Sequence, residues 1–210
     1  MRKKPDISPL TIERLSVYLR ALGEFSREGA IFVSSPTIAE RIGTSPAQVR
    51  KDLSYFGSFG RKGRGYDIEK LIGGLTEIMG LNKNWKVGLV GFGKLGESLF
   101  NYAGFPKSGF HIVAIFDKDP AKIGSTREGV LIYNMDAITR TCEEKKILIA
   151  IVAVPPESAF EAIQRCLDAG IRAILNFSGQ TGFKPPPHAY IKDINLAAEI
   201  ESLSYFLTNR

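Results

Sequence analysis

Apolar residues recur at Ile12, Leu15, Leu19, Leu22 and Phe25, in steps of three and four that predict one buried helix face. Ser8-Pro9 before them is a helix start, a capping hydroxyl followed by proline at the first helical position. Gly29 ends that helix, and Ile31-Phe32-Val33 is a short extended piece. Ser35-Pro36 repeats the start signal, Ile38, Ala39 and Ile42 form an inner face, and Gly43 stops the second helix. Ser45-Pro46 opens a third, running to Phe56, with Val49, Leu53 and Phe56 on one face. Two short helices joined by a tight glycine-containing turn predict a helix-turn-helix. Beyond a glycine-rich segment, Asp67 caps a helix with Ile68, Leu71, Ile72, Leu75, Ile78 and Met79 inside, ending at Gly80.

The pattern changes after residues 81–84, which read as a linker. Trp85 to Val90 is an unbroken apolar strand. His111-Ile112-Val113-Ala114-Ile115-Phe116 is a second, ending at Asp117. Val130-Leu131-Ile132-Tyr133 is a short third, residues 147–154 a fully buried fourth, and Ile171-Arg172-Ala173-Ile174-Leu175 a fifth. Helical segments stand between several of them, notably 158–167 before Gly170. Such alternation predicts an α/β domain with a parallel sheet. At the end, Leu196, Ile200, Leu203 and Leu207 mark an amphipathic helix, which would pack on its own domain or on a second subunit. The expected organisation is a winged helix-turn-helix domain (1–80), a Rossmann-like domain (81–194) and a C-terminal helix (195–210), a dimerisation helix if it packs on a second subunit.

The 210 residues are 44% hydrophobic and 24% charged, which excludes a disordered chain. The longest apolar run, at 147–154, is far short of the ~20 residues of a membrane span. No apolar segment follows the basic start, so no secretory leader is expected. Cys142 and Cys166 make no disulfide framework, and His111 and His188 no metal pattern. These features predict a protein of the reducing cytoplasm that binds neither membrane nor metal.

Net charge is +6, and residues 48–66 hold Arg50, Lys51, Arg61, Lys62 and Arg64 against Asp52 alone. Five cations within a helix-turn-helix pattern point to double-stranded DNA. On the third helix, Gln48, Arg50 and Lys51 suit base edges, while Ser54 and Tyr55 suit phosphates. In the segment from Gly57 to Tyr66, glycines alternate with Arg61, Lys62 and Arg64, as in a wing that reaches the minor groove.

Directly after the first apolar strand comes Gly91-Phe92-Gly93-Lys94-Leu95-Gly96, and then a helical segment. Strand, G-x-G-x-x-G and helix in that order are a dinucleotide fingerprint. Gly91 permits the tight turn, Gly93 a close approach to pyrophosphate at the helix N-terminus, and Gly96 close helix–strand packing. Asp117, 21 residues after Gly96, stands where an acid bonds the adenosine ribose, and it favours NAD over NADP. Lys118 beside it tempers that preference. Topology adds Val154, Pro155, Asn176 and Phe177 at strand ends near the nicotinamide half.

Two classes compete, an NAD-dependent oxidoreductase and a DNA-binding regulator that senses the cofactor; a domain for CoA or another nucleotide is a third. No proton donor stands out for the enzyme. Tyr66-x-x-x-Lys70 precedes the Rossmann strand, where a dehydrogenase pair would follow it. The DNA-binding half favours the regulator, with no catalytic residue.

The run from Gln48 to Gly57, the basic wing ending Gly65-Tyr66, the motif from Gly91 to Gly96 and Phe116-Asp117-Lys118-Asp119-Pro120 resemble the Rex family of bacterial redox-sensing repressors. That resemblance covers nearly the whole chain. It implies a homodimer whose C-terminal helix is swapped between subunits. It also implies release of operator DNA on NADH binding, with NAD+ competing while permitting DNA binding. The targets implied are genes of fermentation and respiration. It assigns a switch to Arg20 and Tyr102, coupled through an Asp that precedes the swapped helix. Here Asn195 stands at that place and cannot make the charged pair, leaving Asp193 as the other candidate.

Overall fold

A computed structural model describes residues 7–61 and 63–209. The backbone divides into two compact units, Met1–Lys83 and Asn84–Arg210.

The first unit runs α1 (Pro9–Arg27), β1 (Phe32–Val33), α2 (Ser35–Ile42), α3 (Pro46–Ser54), β2 (Gly60–Arg61), β3 (Gly65–Asp67) and α4 (Ile68–Ile78). Each helix starts on a side chain that accepts a backbone N–H. Ser8 accepts from Thr11, Ser45 from Gln48, and Asp67 from Lys70. The cap of α2 is Ser34 rather than the expected Ser35, so Pro36 falls one place later in the first turn. The inner face of α1 also differs from the expected one. Tyr18 is fully buried with Leu15 and Leu22, while Ile12 is 39% exposed. Val49 and Leu53 of α3 and Leu71 and Leu75 of α4 complete this core. The three strands form an antiparallel sheet in the order β1-β3-β2. Gly65 has φ +80, and a Cβ there would stand 2.5 Å from the Val33 carbonyl oxygen, so only glycine lets the hairpin close on β1.

The second unit contains β4 (Trp85–Val90), α5 (Lys94–Phe100), α6 (Gly104–Lys107), β5 (Phe110–Asp117), β6 (Thr126–Arg127) and β7 (Val130–Asn134). It continues with α7 (Ile138–Lys145), β8 (Ile149–Val152), α8 (Pro156–Asp168), β9 (Ala173–Asn176), β10 (Tyr190–Asp193) and α9 (Leu196–Thr208). The sheet order is β10-β9-β8-β4-β5-β7-β6, parallel except for the β6–β7 pair. The chain steps outward from β4 to β5 and β7, then returns to the other side of β4 with β8. That reversal opens a crevice at the carboxyl ends of β4 and β8, the usual ligand position in doubly wound sheets.

The fourth and fifth expected strands are shorter or shifted, at Ile149–Val152 and Ala173–Asn176. Ile147 is buried all the same, just ahead of β8. Among the described residues, no helix is long and apolar enough to cross a membrane.

Candidate functional site

A cavity of about 510 Å³ opens in the crevice. Gly91, Phe92 and Gly93 form one wall, Asp117 and Lys118 a second, Val154 and Pro155 a third. The glycines divide the work. Gly91 turns the chain at φ +90, and an added Cβ would stand 2.6 Å from the Ala153 carbonyl oxygen. Gly96 backs onto the Gly91 carbonyl, which leaves no room for a side chain between helix and loop. At Gly93, by contrast, an added Cβ would meet no protein atom within 4 Å and would point into open space.

Asp117 does more than face the cavity. Its Oδ2 accepts the Phe92 N–H at 2.6 Å, and its Oδ1 accepts the Asp119 N–H at 2.9 Å. The carboxylate therefore holds the glycine loop to the end of β5. Lys122 Nζ lies 3.6 Å from Asp117 and 3.5 Å from Asp119, and Lys118 Nζ lies 3.4 Å from the Ser158 hydroxyl. Arg165, paired with Asp136 at 2.7 Å and Glu161 at 3.0 Å, closes the far rim. Sequence reasoning missed Lys122, Ser158 and Arg165. Only their places could have flagged them: Lys122 after β5, Ser158 in the first turn of α8 and Arg165 in its last.

Other expected site residues stand elsewhere. Lys94, Leu95 and Gly96 form the first turn of α5 and do not line the cavity. Neither do Asn176 and Phe177. Asn176 is fully buried, and its amide nitrogen donates to the Gln180 carbonyl and to Asp193 Oδ1, each at 2.8 Å. It joins β9 to β10 and has no free donor for a ligand. Asp193 is committed to the same bond. Asn195 caps α9 by accepting the Ala198 N–H at 3.1 Å. Tyr102 lies beyond the end of α5, is 58% exposed, and stands edge-on to Phe105. Arg20 is exposed on α1. Cys142 and Cys166 are buried between α7, α8 and the sheet. Burial pushes the Cys142 thiol up to about 11 and the Cys166 thiol higher still, which suits packing and not nucleophilic chemistry.

In the first unit, Lys51, Ser54 and Tyr55 are exposed on or just after α3, and Arg61 and Arg64 on the hairpin. Lys62 lies outside the described residues. Several of these groups are already engaged. Arg50 Nη1 donates to the Ser35 hydroxyl at 3.0 Å, which ties α3 to α2. Ser54 bonds back to the Lys51 carbonyl, and the Arg64 guanidinium sits 4.1 Å from the centre of the Phe32 ring. Gln48 donates to Asp52 at 2.7 Å. Asp52 also takes hydrogen bonds from Arg14 and Tyr18 of α1. Burial pushes the Asp52 carboxyl up, but hydrogen bonds from Arg14, Tyr18 and Gln48 outweigh it and hold the group below the usual carboxylate range. This buried cluster was not foreseen. Its signal was the lone acid in an otherwise basic stretch.

The family described as "CoA binding domain" matches residues 82–179, and the one described as "Putative DNA-binding protein N-terminus" matches residues 6–54. The redox-sensing transcriptional repressor Rex of Desulfitobacterium hafniense is 43% identical over 97% of each chain. That of Chloroflexus aurantiacus is 41% identical over 98% of this chain and 97% of its own. Among solved structures, the Rex-family repressor RSP in complex with β-NAD+ and operator DNA superposes with a TM-score of 0.90. It shares 34% identity, over 97% of this chain and 94% of that one. RSP in complex with β-NADH superposes with a TM-score of 0.84 at 32% identity, over 97% and 95% of the two chains. With this identity over almost its full length, in both the DNA-binding half and the dinucleotide half, the chain belongs to the Rex family of redox-sensing transcriptional repressors.

Proposed function

We propose that the protein represses transcription by binding operator DNA through α3 and the β2–β3 hairpin, and that NADH bound in the crevice of the second unit releases it. NAD+ competes for the same crevice while leaving DNA binding intact. The observation that carries this reading is the pairing of Gly91–Gly93 with Asp117 around one cavity, in a chain that superposes on RSP complexes with NAD+, NADH and operator DNA.

Gly93 would meet the pyrophosphate with its backbone N–H, while Gly91 and Phe92, whose N–H groups go to the Phe116 carbonyl and to Asp117, shape the loop beneath it. Asp117 would take the adenosine ribose hydroxyls, and Val154 and Pro155 would bear on the nicotinamide half. The dinucleotide is here a signal whose two redox forms differ in charge on the nicotinamide ring. Asp117 also weighs against CoA, whose adenosine carries a ribose 3′-phosphate that a carboxylate would repel. Lys51, Tyr55, Arg61 and Arg64 are the outward groups for DNA.

The acting form is a cytoplasmic homodimer. α9 supports it, because Leu196, Ile200, Leu203 and Leu207 are all exposed in the single chain, at 58–85%. A second copy that receives α9 would cover them, with Arg20 and Tyr102 near the exchanged segment by resemblance.

The test is DNA binding measured by fluorescence anisotropy with NADH and NAD+ titrated separately. NADH should release the duplex and NAD+ should not. Calorimetry that finds no binding of either dinucleotide would refute the sensor.

A further inference from the structure

Asp52 is the one acidic side chain in the basic stretch 48–66, and it is fully buried. Arg14 donates to both of its oxygens, Nε to Oδ2 at 2.5 Å and Nη2 to Oδ1 at 2.8 Å. Tyr18 donates its hydroxyl to Oδ2 at 2.6 Å. These bonds come from α1 and would suffice to fix α3 against it. The fourth bond, from Gln48 Nε2 to Oδ1 at 2.7 Å, comes from α3 itself.

Gln48 is half-buried in the first turn of α3, the part of a recognition helix that meets base edges. Beside a carboxylate its amide has one favourable orientation, nitrogen inward and oxygen outward, since the reverse would set two acceptors together. One N–H is then given to Asp52. Gln48 keeps its carbonyl oxygen and a second N–H, the acceptor–donor pair that matches the N6 amine and N7 of adenine in the major groove. We propose that Asp52, gripped by Arg14 and Tyr18, orients the Gln48 amide so that α3 selects adenine at one position of each DNA half-site. Gln48 is the reading residue; Asp52 is a positioning residue that acts through it. The inference rests on the DNA-binding reading above.

The experiment captures a duplex library, randomised across the binding site, on the full-length protein and sequences what is retained. Wild-type protein should favour adenine about tenfold at one position per half-site. Gln48→Ala should flatten that position alone. Asp52→Asn, which lets the amide turn, should flatten the same position, and adding it to Gln48→Ala should change the profile no further. Tyr18→Phe keeps the buried ring and removes one bond to Asp52. It stands in if Asp52→Asn fails to give a cooperative melt, and it should weaken the adenine preference at that position and no other. A Gln48→Ala profile equal to wild type overturns the inference. So does an Asp52→Asn or Tyr18→Phe profile weakened evenly at every position, the mark of a role in folding only. Wild-type protein that retains no duplex overturns the DNA-binding reading, and this inference with it.

Discussion

Gly93 differs from Gly91 and Gly96 in a way that separates binding from folding. A side chain at Gly91 or Gly96 collides with backbone oxygen, whereas one at Gly93 meets no protein atom within 4 Å. Gly93→Val should therefore keep the wild-type melting temperature and lose NADH binding, because its methyl groups occupy the space the dinucleotide needs. Gly96→Val should lower the melting temperature instead, by driving α5 off the loop. Calorimetry with NADH beside a thermal melt checks both. The G-x-G-x-x-G spacing made these roles legible from sequence. The second task of Asp117 was not legible, since a hydrogen bond to the Phe92 amide depends on how the loop closes. Asp117→Ala should weaken NADH binding and narrow the preference over NADPH. The nearby amines of Lys118 and Lys122 can meet an added phosphate once the carboxylate is gone. An NADH/NADPH affinity ratio unchanged from wild type would take Asp117 out of the ribose contact.

At the scale of elements, the hairpin and α3 divide the DNA work unequally. Arg61→Ala should reduce the salt slope of DNA binding by about one, the mark of a lost phosphate contact. Arg64→Ala should do the same and also loosen β1, because its guanidinium covers Phe32. Lys51→Ala should cost ~1–3 kcal/mol if the side chain reads a base edge. Binding titrations at several salt concentrations give both quantities. The α1–α3 cluster adds an acid limb to stability. The Asp52 carboxyl titrates lower in the folded chain than unfolded, so its contribution is complete above the unfolded value of about 3.9. That contribution is lost as pH falls through the lower, folded value. Denaturant melts of wild type and Asp52→Asn should therefore differ most near neutral pH and converge under strong acid. Start signals and the 3–4 spacing made α1 to α4 legible. Strand β10 was not, because Lys192 and Asp193 break its apolar run, and an edge strand needs apolar residues on one side only. The buried face of α1 was misjudged because Tyr18 goes inward to meet Asp52, and spacing does not register a polar partner 34 residues away.

For the whole molecule the decisive element is α9. Its 13 residues bury nothing in the single chain, and a helix of that length is marginal alone in water. Covering each large apolar side chain gains roughly 1.5–3 kcal/mol, so Leu196, Ile200, Leu203 and Leu207 together can hold a dimer. Removing residues 196–210 should yield monomers in sedimentation and cut DNA affinity steeply, since two recognition helices about 34–36 Å apart would no longer bind as one body. A truncated chain that stays dimeric would refute the exchange of α9. Asn195 caps this helix as an Asp would, so the sequence change keeps the helix start while removing the charge. By resemblance to a family whose switch uses an Asp at this place, a switch in this chain would draw that part of its free energy from another contact. Turning a 1:99 equilibrium into 99:1 takes ~5.5 kcal/mol of differential NADH affinity. The exposed Tyr102, by resemblance a carrier of part of it, offers a hydroxyl that Phe lacks. Tyr102→Phe should bind DNA as wild type does but require more NADH for release. An unaltered NADH midpoint would remove Tyr102 from the switch.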